Sequence, residues 1–301
     1  MMRSRRLATT KIASLIVLCA ILTACSRAPR PGASGAGTTA GGAQPALRDE
    51  IPADRLNEVV AAHLEGVGLM EQYQYAQAVA AFRKVHQLAP GWIAGSINLA
   101  IALLNDSGIK AEAAKGGRAS ATPPATNFDE ALKLLDAVIE RDPQNLHAHY
   151  CRGLILEYQG DLERAHKDFA IVTERDPSDA HAWLKLGTTL TDPENPGAQA
   201  GPKQARELIA IYTKALERNP YLVMALYKIQ QAYIWAGEPK KQAEALNLWR
   251  RLNPDVNPAG PGDTGKTYYG EMGRYATVID PFPMRSQMPD PGHPPRFDVP
   301  E

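Results

Sequence analysis

The sequence predicts an all-α solenoid of about five helix pairs, and three observations predict it. Five prolines, Pro90, Pro143, Pro177, Pro220 and Pro254, each close a similar apolar segment. Two of their intervals are 34 residues, and the others, 53 and 43, exceed that by 19 and 9. Upstream of each proline, apolar residues recur at spacings of four and three, as in Ala78, Phe82, Val85; Ala131, Leu135, Val138; and Ala165, Phe169, Val172. Such spacing lies on one helical face. Gln159-Gly160-Asp161 and Ala236-Gly237-Glu238 fall mid-unit, where glycine supplies the left-handed turn that ends a helix. A fixed period of this length marks stacked supersecondary units.

The first element, residues 1–24, reads as a secretory signal peptide. Arg3, Arg5, Arg6 and Lys11 precede an apolar run from Ile12 to Leu22. That run is shorter than the about 20 residues a membrane-spanning helix needs. Leu22-Thr23-Ala24-Cys25 resembles the lipobox of bacterial lipoproteins. The resemblance implies a lipidated Cys25 and a cell-envelope protein. Ser26, in place of an aspartate after the cysteine, implies the outer membrane, facing the periplasm. Residues 25–53 follow as a linker rich in Gly, Pro, Ala and Ser, expected to be a flexible tether. About 20 such residues reach on the order of 25 Å.

The array is expected over 54–254. Trp183, Leu186 and Gly187 match a W-x2-L-G pattern, and with the 34-residue period the segment resembles the tetratricopeptide repeat. Small residues Gly66, Ala100, Gly153 and Gly187 recur where paired helices would approach closely. Arg152 occupies a place usually apolar and Gln230 one usually small. The two long intervals locate insertions near 106–127 and 191–203, both rich in Gly and Pro.

Stacked pairs leave a concave groove lined mainly by the first helices. By resemblance to the family, the partner-binding positions are His147, Tyr150, Leu154, His181, Leu184, Lys185, Tyr227, Lys228 and Gln231, with Cys151 and Thr188 beside them. Their mix of aromatic, amide and cationic groups suits an extended peptide or a partner's helix. His147, His149 and His181 do not amount to a metal site. Residues two apart on a helix diverge, and no third ligand is evident. No cofactor is expected.

Gly260–Thr267 matches the phosphate-loop pattern G-x4-G-K-[ST]. That motif works between a strand and a helix. Pro254 and Pro258 precede it and Gly270 and Gly273 follow, so a Gly/Pro turn is expected and nucleotide binding is a remote alternative. Residues 255–301 hold nine prolines and form an extended Pro-rich tail. Tyr268, Tyr269, Tyr275, Val278, Ile279 and Phe282 are expected to fold back over Leu246, Leu248, Trp249 and Leu252, as an end cap of the kind repeat arrays need. The stretch from Tyr269 to Pro281 also resembles the connector that joins tetratricopeptide repeats to FG-GAP/VCBS propellers with ASPIC/UnbV domains, and Phe297-Asp298-Val299 resembles the start of such a propeller. This resemblance implies a separately encoded propeller protein as a partner.

The chain has 33 basic and 33 acidic residues, and removing the leader leaves 29 against 33. A mildly acidic mature chain gives no reason to expect nucleic acid, which rewards a clustered basic face. Of three cysteines, only Cys151 remains outside the leader and lipobox, so a disulfide framework within one mature chain is excluded. The expected function is a membrane-anchored, non-enzymatic scaffold for protein–protein interactions in the cell envelope. The alternative is an assembly or sorting factor for outer-membrane clients.

Overall fold

The computed structural model describes residues 49–116, 127–191, 201–252, 269–270 and 272–282. All belong to the unit Ala46–Glu301. The leader, Cys25, the linker to residue 48, Gly260–Thr267, Tyr268 and Phe297–Val299 lie outside the described residues.

Among the described residues there are ten α-helices and no strand. They run α1 Leu56–Glu71, α2 Tyr75–Leu88, α3 Ile93–Gly116, α4 Phe128–Arg141, α5 Leu146–Gln159, α6 Leu162–Arg175, α7 Ala180–Thr188, α8 Pro202–Arg218, α9 Val223–Ala236 and α10 Pro239–Leu252. Two one-turn 3-10 helices, Ala53–Arg55 and Arg274–Ala276, complete the order. Each helix packs on the next, and α3 also meets α5, which is the stacking of a helix-pair solenoid.

The second helices of the first four pairs bury the stripe read from the sequence, and α10 buries only Trp249 of its own. Ala78, Phe82 and Val85 on α2, Ala165, Phe169 and Val172 on α6, and Leu208, Tyr212 and Ala215 on α8 are all buried. The opposing first helix offers glycine where the ring arrives. A Cβ at Gly66 would stand 2.7 Å from the Phe82 ring, one at Gly153 2.8 Å from Phe169, and one at Gly187 2.3 Å from Tyr212. The small residues thus let paired helices close on an aromatic ring.

Turns follow local chemistry. Gly160 (φ +83°) and Gly237 (φ +70°) take the left-handed conformation that ends α5 and α9. Asn145, Asp161 and Asp179 cap α5, α6 and α7 by accepting from Ala148, Arg164 and Ala182 backbone N–H groups. Each cap lies two residues after a unit-closing proline or one after a mid-unit glycine, so the stop of one helix sets the start of the next.

Arg152, out of place in an apolar register, bridges three helices. It donates to Asp168 through Nε and Nη2 at 2.8 and 2.7 Å, and to Asp136 through Nη1 at 2.7 Å. Gln230 is likewise buried and accepts from Gln242 on α10.

Two expectations need correction. The insertion near 106–127 is not loop throughout, because α3 continues to Gly116. Ile109 to Lys115 is a run of Ala, Glu, Lys and Ile, whose helix propensity carries the helix on until Gly116-Gly117. The described tail residues do not cover α10 either. Their actual seat is the inner face of the array.

Candidate functional site

Residues 269–270 and 272–282 lie against the first helices of the first four pairs. Met272 is held at α5, where the Tyr150 hydroxyl donates to its carbonyl. Gly273 (φ +102°) sits so close to His181 and Tyr150 that a Cβ there would be 2.8 Å from each, so only glycine fits. Arg274 pairs with Asp176 and, at 3.0 Å, with Asp179. The Tyr275 carbonyl accepts from His147 Nδ1 and Cys151 Sγ, and its hydroxyl donates to Asp176. Ala276 is buried.

The chain then runs back toward the first pair. Asn98 on α3 grips Ile279 twice, its Nδ2 donating to the carbonyl at 2.8 Å and its Oδ1 accepting from the N–H at 2.7 Å. A side-chain amide here does what a neighbouring strand would do. Asp280 reaches His63 on α1 at 3.3 Å, and Phe282 packs between His63 and Trp92. Tyr269 returns alongside, its hydroxyl accepting from the Val278 N–H and its ring against Tyr75. The inner face therefore already holds a polypeptide, by side-chain bonds to backbone groups and by packing of Ala276, Ile279 and Phe282 against the core.

The sequence-derived groove residues divide accordingly. His147, Tyr150 and His181 lie beneath this segment. Leu154 and Leu184 are buried in packing between helices. Lys185, Tyr227, Lys228 and Gln231 lie beyond the segment, on α7 and α9. There Lys185 Nζ pairs with Glu157 at 2.8 Å, Thr188 donates to the same carboxylate, and Gln231 donates to the Tyr227 hydroxyl. His149 faces away, between Asp168 (2.8 Å) and the Pro143 carbonyl (3.0 Å). The cysteine by the groove is inert as a nucleophile, since complete burial pushes the Cys151 thiol up to about 12.

Sequence reasoning missed Asn98, His63, Asp176 and Asp179. A signal existed for two of them: Asp176 and Asp179 flank Pro177, and Arg274 is a lone cation in an aromatic segment. Nothing local marks Asn98.

Three histidines under the segment give it a pH dependence. Burial lowers His63, with Asp280 partly opposing. Burial also lowers His147, opposed by its bond to the Tyr275 carbonyl and aided by Arg274. Burial lowers His181 too, with Asp179 and Lys185 acting in opposite directions. A depressed histidine favours the docked state above its free value of 6.5 and withdraws that support as pH falls below it. Tryptic cleavage after Arg274 should therefore accelerate between pH 7.5 and pH 5. A constant cleavage rate across that range, corrected for trypsin's own profile on a reference peptide, would show that the segment does not loosen.

The family model agrees with this architecture over the central helices. A sequence model of the tetratricopeptide repeat matches residues 125–165 and 152–192. The solved structure of MamA 41-end from Desulfovibrio magneticus RS-1 aligns with a TM-score of 0.50 at 15% identity, covering 67% of this chain and 98% of that one. A crystal structure of MamA protein aligns with a TM-score of 0.47 at 16% identity, covering 66% and 93%. The curated protein General transcription factor 3C polypeptide 3 of Homo sapiens is 25% identical over 148 residues, which are 47% of this chain. The chain spans only 15% of that protein's length.

Proposed function

We propose that this tetratricopeptide-like solenoid is a lipid-anchored scaffold of the bacterial cell envelope, which docks a partner protein on the inner face beyond its own C-terminal segment. The observation that carries the reading is the seat of residues 269–282. A face that binds one polypeptide segment through Asn98, Tyr150, His147 and Arg274–Asp179 can recognise backbone and side chains together. Among the described residues, the same face continues beyond this segment over α7 and α9, where Lys185, Tyr227, Lys228 and Gln231 are half-buried. The lipobox-like Cys25 supports the anchor, and the linker's reach supports a position just off the bilayer. The connector-like segment from Tyr269 to Pro281 favours a propeller protein encoded separately as the partner.

Photo-crosslinking in intact cells tests the docking half. A crosslinker at Tyr227 should give one discrete adduct, and Lys228→Glu should reduce its yield at least tenfold; a diffuse ladder unaffected by that change would remove the reading. The anchor is tested separately, since Cys25→Ser should abolish palmitate incorporation and release the chain from membranes.

A further inference from the structure

We propose that residues 272–282 are a resident competitor seated in a peptide-binding site. The ligand that displaces them is a partner segment carrying the same order of groups: glycine, cation, aromatic and small residue, then an aliphatic residue and an aspartate three positions on. The inference rests on the reading of the inner face as a docking surface and adds that the chain itself gates the covered part.

The array completes its own backbone bonding without the segment. Among the described residues, no main-chain hydrogen bond joins the segment to a helix. Its backbone groups are held by side chains instead. Tyr150 donates to the Met272 carbonyl, His147 and Cys151 to that of Tyr275, and Asn98 takes both groups of Ile279. Every polypeptide carries such groups, so a face that grips them can take an exchanged chain in place of its own. The segment is also peripheral. Only Gly273 and Ala276 in it are buried, while Arg274, Asp280 and Pro281 are exposed.

The floor beneath it differs from the joints within the first and third pairs. There, Phe82 and Phe169 close on glycine, hydrocarbon against backbone. Under the segment, Asn98 and His63 are wholly buried and Asp179 is 5% exposed, each with a polar atom bonded to the segment. Polar groups are costly when sealed without partners, but water takes the partner's place once the segment lifts off. Interfaces that exchange are more polar than permanent ones.

Side chains decide which segment fits. Gly273, at φ +102°, leaves no room for a Cβ, which would stand 2.8 Å from both His181 and Tyr150. Arg274 meets Asp176 and Asp179, the Tyr275 hydroxyl donates to Asp176, and Ala276 is buried. Ile279 packs on the core, and Asp280 reaches His63. A tethered competitor acts at an effective concentration on the order of millimolar, so it weakens every incoming ligand in proportion.

The test titrates the full chain with a fluorescein-labelled peptide of residues 269–282. Gly273→Ala unseats the chain's own segment and changes no residue of the array. The peptide should bind this variant at least tenfold more tightly than the wild-type chain, with tryptic cleavage after Arg274 accelerated and far-UV helicity retained. Replacing the peptide's glycine by alanine, or adding Asn98→Ala to the variant chain, should each cost at least tenfold in that affinity. Tyr275→Ala is a second variant read in the same way. Helicity lost in both variants would make the segment part of the core and overturn the proposal. Unchanged cleavage in both would overturn it, as would a released segment with no peptide bound at millimolar concentration, or equal affinity for the glycine and alanine peptides. The Tyr227 crosslink does not depend on any of these results, so a failure here leaves the scaffold reading standing.

Discussion

Asp168→Ala lowers the unfolding free energy by about 3–5 kcal/mol, the range for breaking one side of a buried ion pair. Asp168 is 2% exposed and accepts from three donors, Arg152 Nε, Arg152 Nη2 and His149 Nδ1. Removing the carboxylate strands a guanidinium that is only 20% exposed, with Asp136 as its remaining partner. Asp136 is 46% exposed and contributes little by itself. Joint replacement of Arg152 and Asp168 by leucine should recover much of the loss, because the unpaired charge and not the missing attraction dominates the cost. Chemical denaturation of the two variants checks both statements, and a cost below about 1 kcal/mol for Asp168→Ala would show that the bridge is solvated. The sign with pH follows from the carboxyl's environment. Burial alone would raise its pKa, but hydrogen bonds from Arg152 and His149 outweigh burial and hold it below the usual value of 3.8. The stabilisation is therefore complete above about pH 4 and is lost as pH falls through the lowered value.

Termination of the chain after residue 268 costs about 5 kcal/mol and lowers the melting temperature by roughly 10–20 °C. The estimate takes about 1 kcal/mol for each half-buried apolar side chain among Met272, Tyr275, Val278, Ile279 and Phe282, and about 2–4 °C per kcal/mol for a domain this size. The loss exposes the inner face of α1, α3, α5 and α7, so a dye that fluoresces on apolar surfaces should bind the shortened chain and not the intact one. Asn98→Ala distinguishes this seat from an end cap. It should reproduce part of the destabilisation, since two hydrogen bonds to Ile279 are lost. If Asn98→Ala is neutral and substitutions on α10 mimic the truncation, the segment covers the array's end instead.

Repeat number, helix phase and mid-unit turns were legible because each depends on neighbours within about four residues or on a period. Phe82, Phe169 and Tyr212 announce their burial through the stripe they belong to, and Gly160 and Gly237 announce their turns through their lack of a Cβ. Arg152 was visible as an exception, but its reason was not, because Asp136 and Asp168 sit on two other helices. The insertion near 106–127 was misjudged because Gly116-Gly117 and Pro123-Pro124 dominate its composition while the preceding seven residues favour helix.

From the sequence by itself came the solenoid, its period and the positions of its joints. All of these follow from backbone conformation and from which residues repeat, and such preferences are local. Only the tertiary structure decided that the described tail residues from Tyr269 to Phe282 lie on the first helices instead of capping α10, and that Asn98 and His63 receive them. Those outcomes compare docking sites more than 100 residues apart in the chain, as between Tyr150 and Met272 or Asn98 and Ile279. The comparison is settled by shape and by the balance of buried donors and acceptors, which exist only once the helices have stacked.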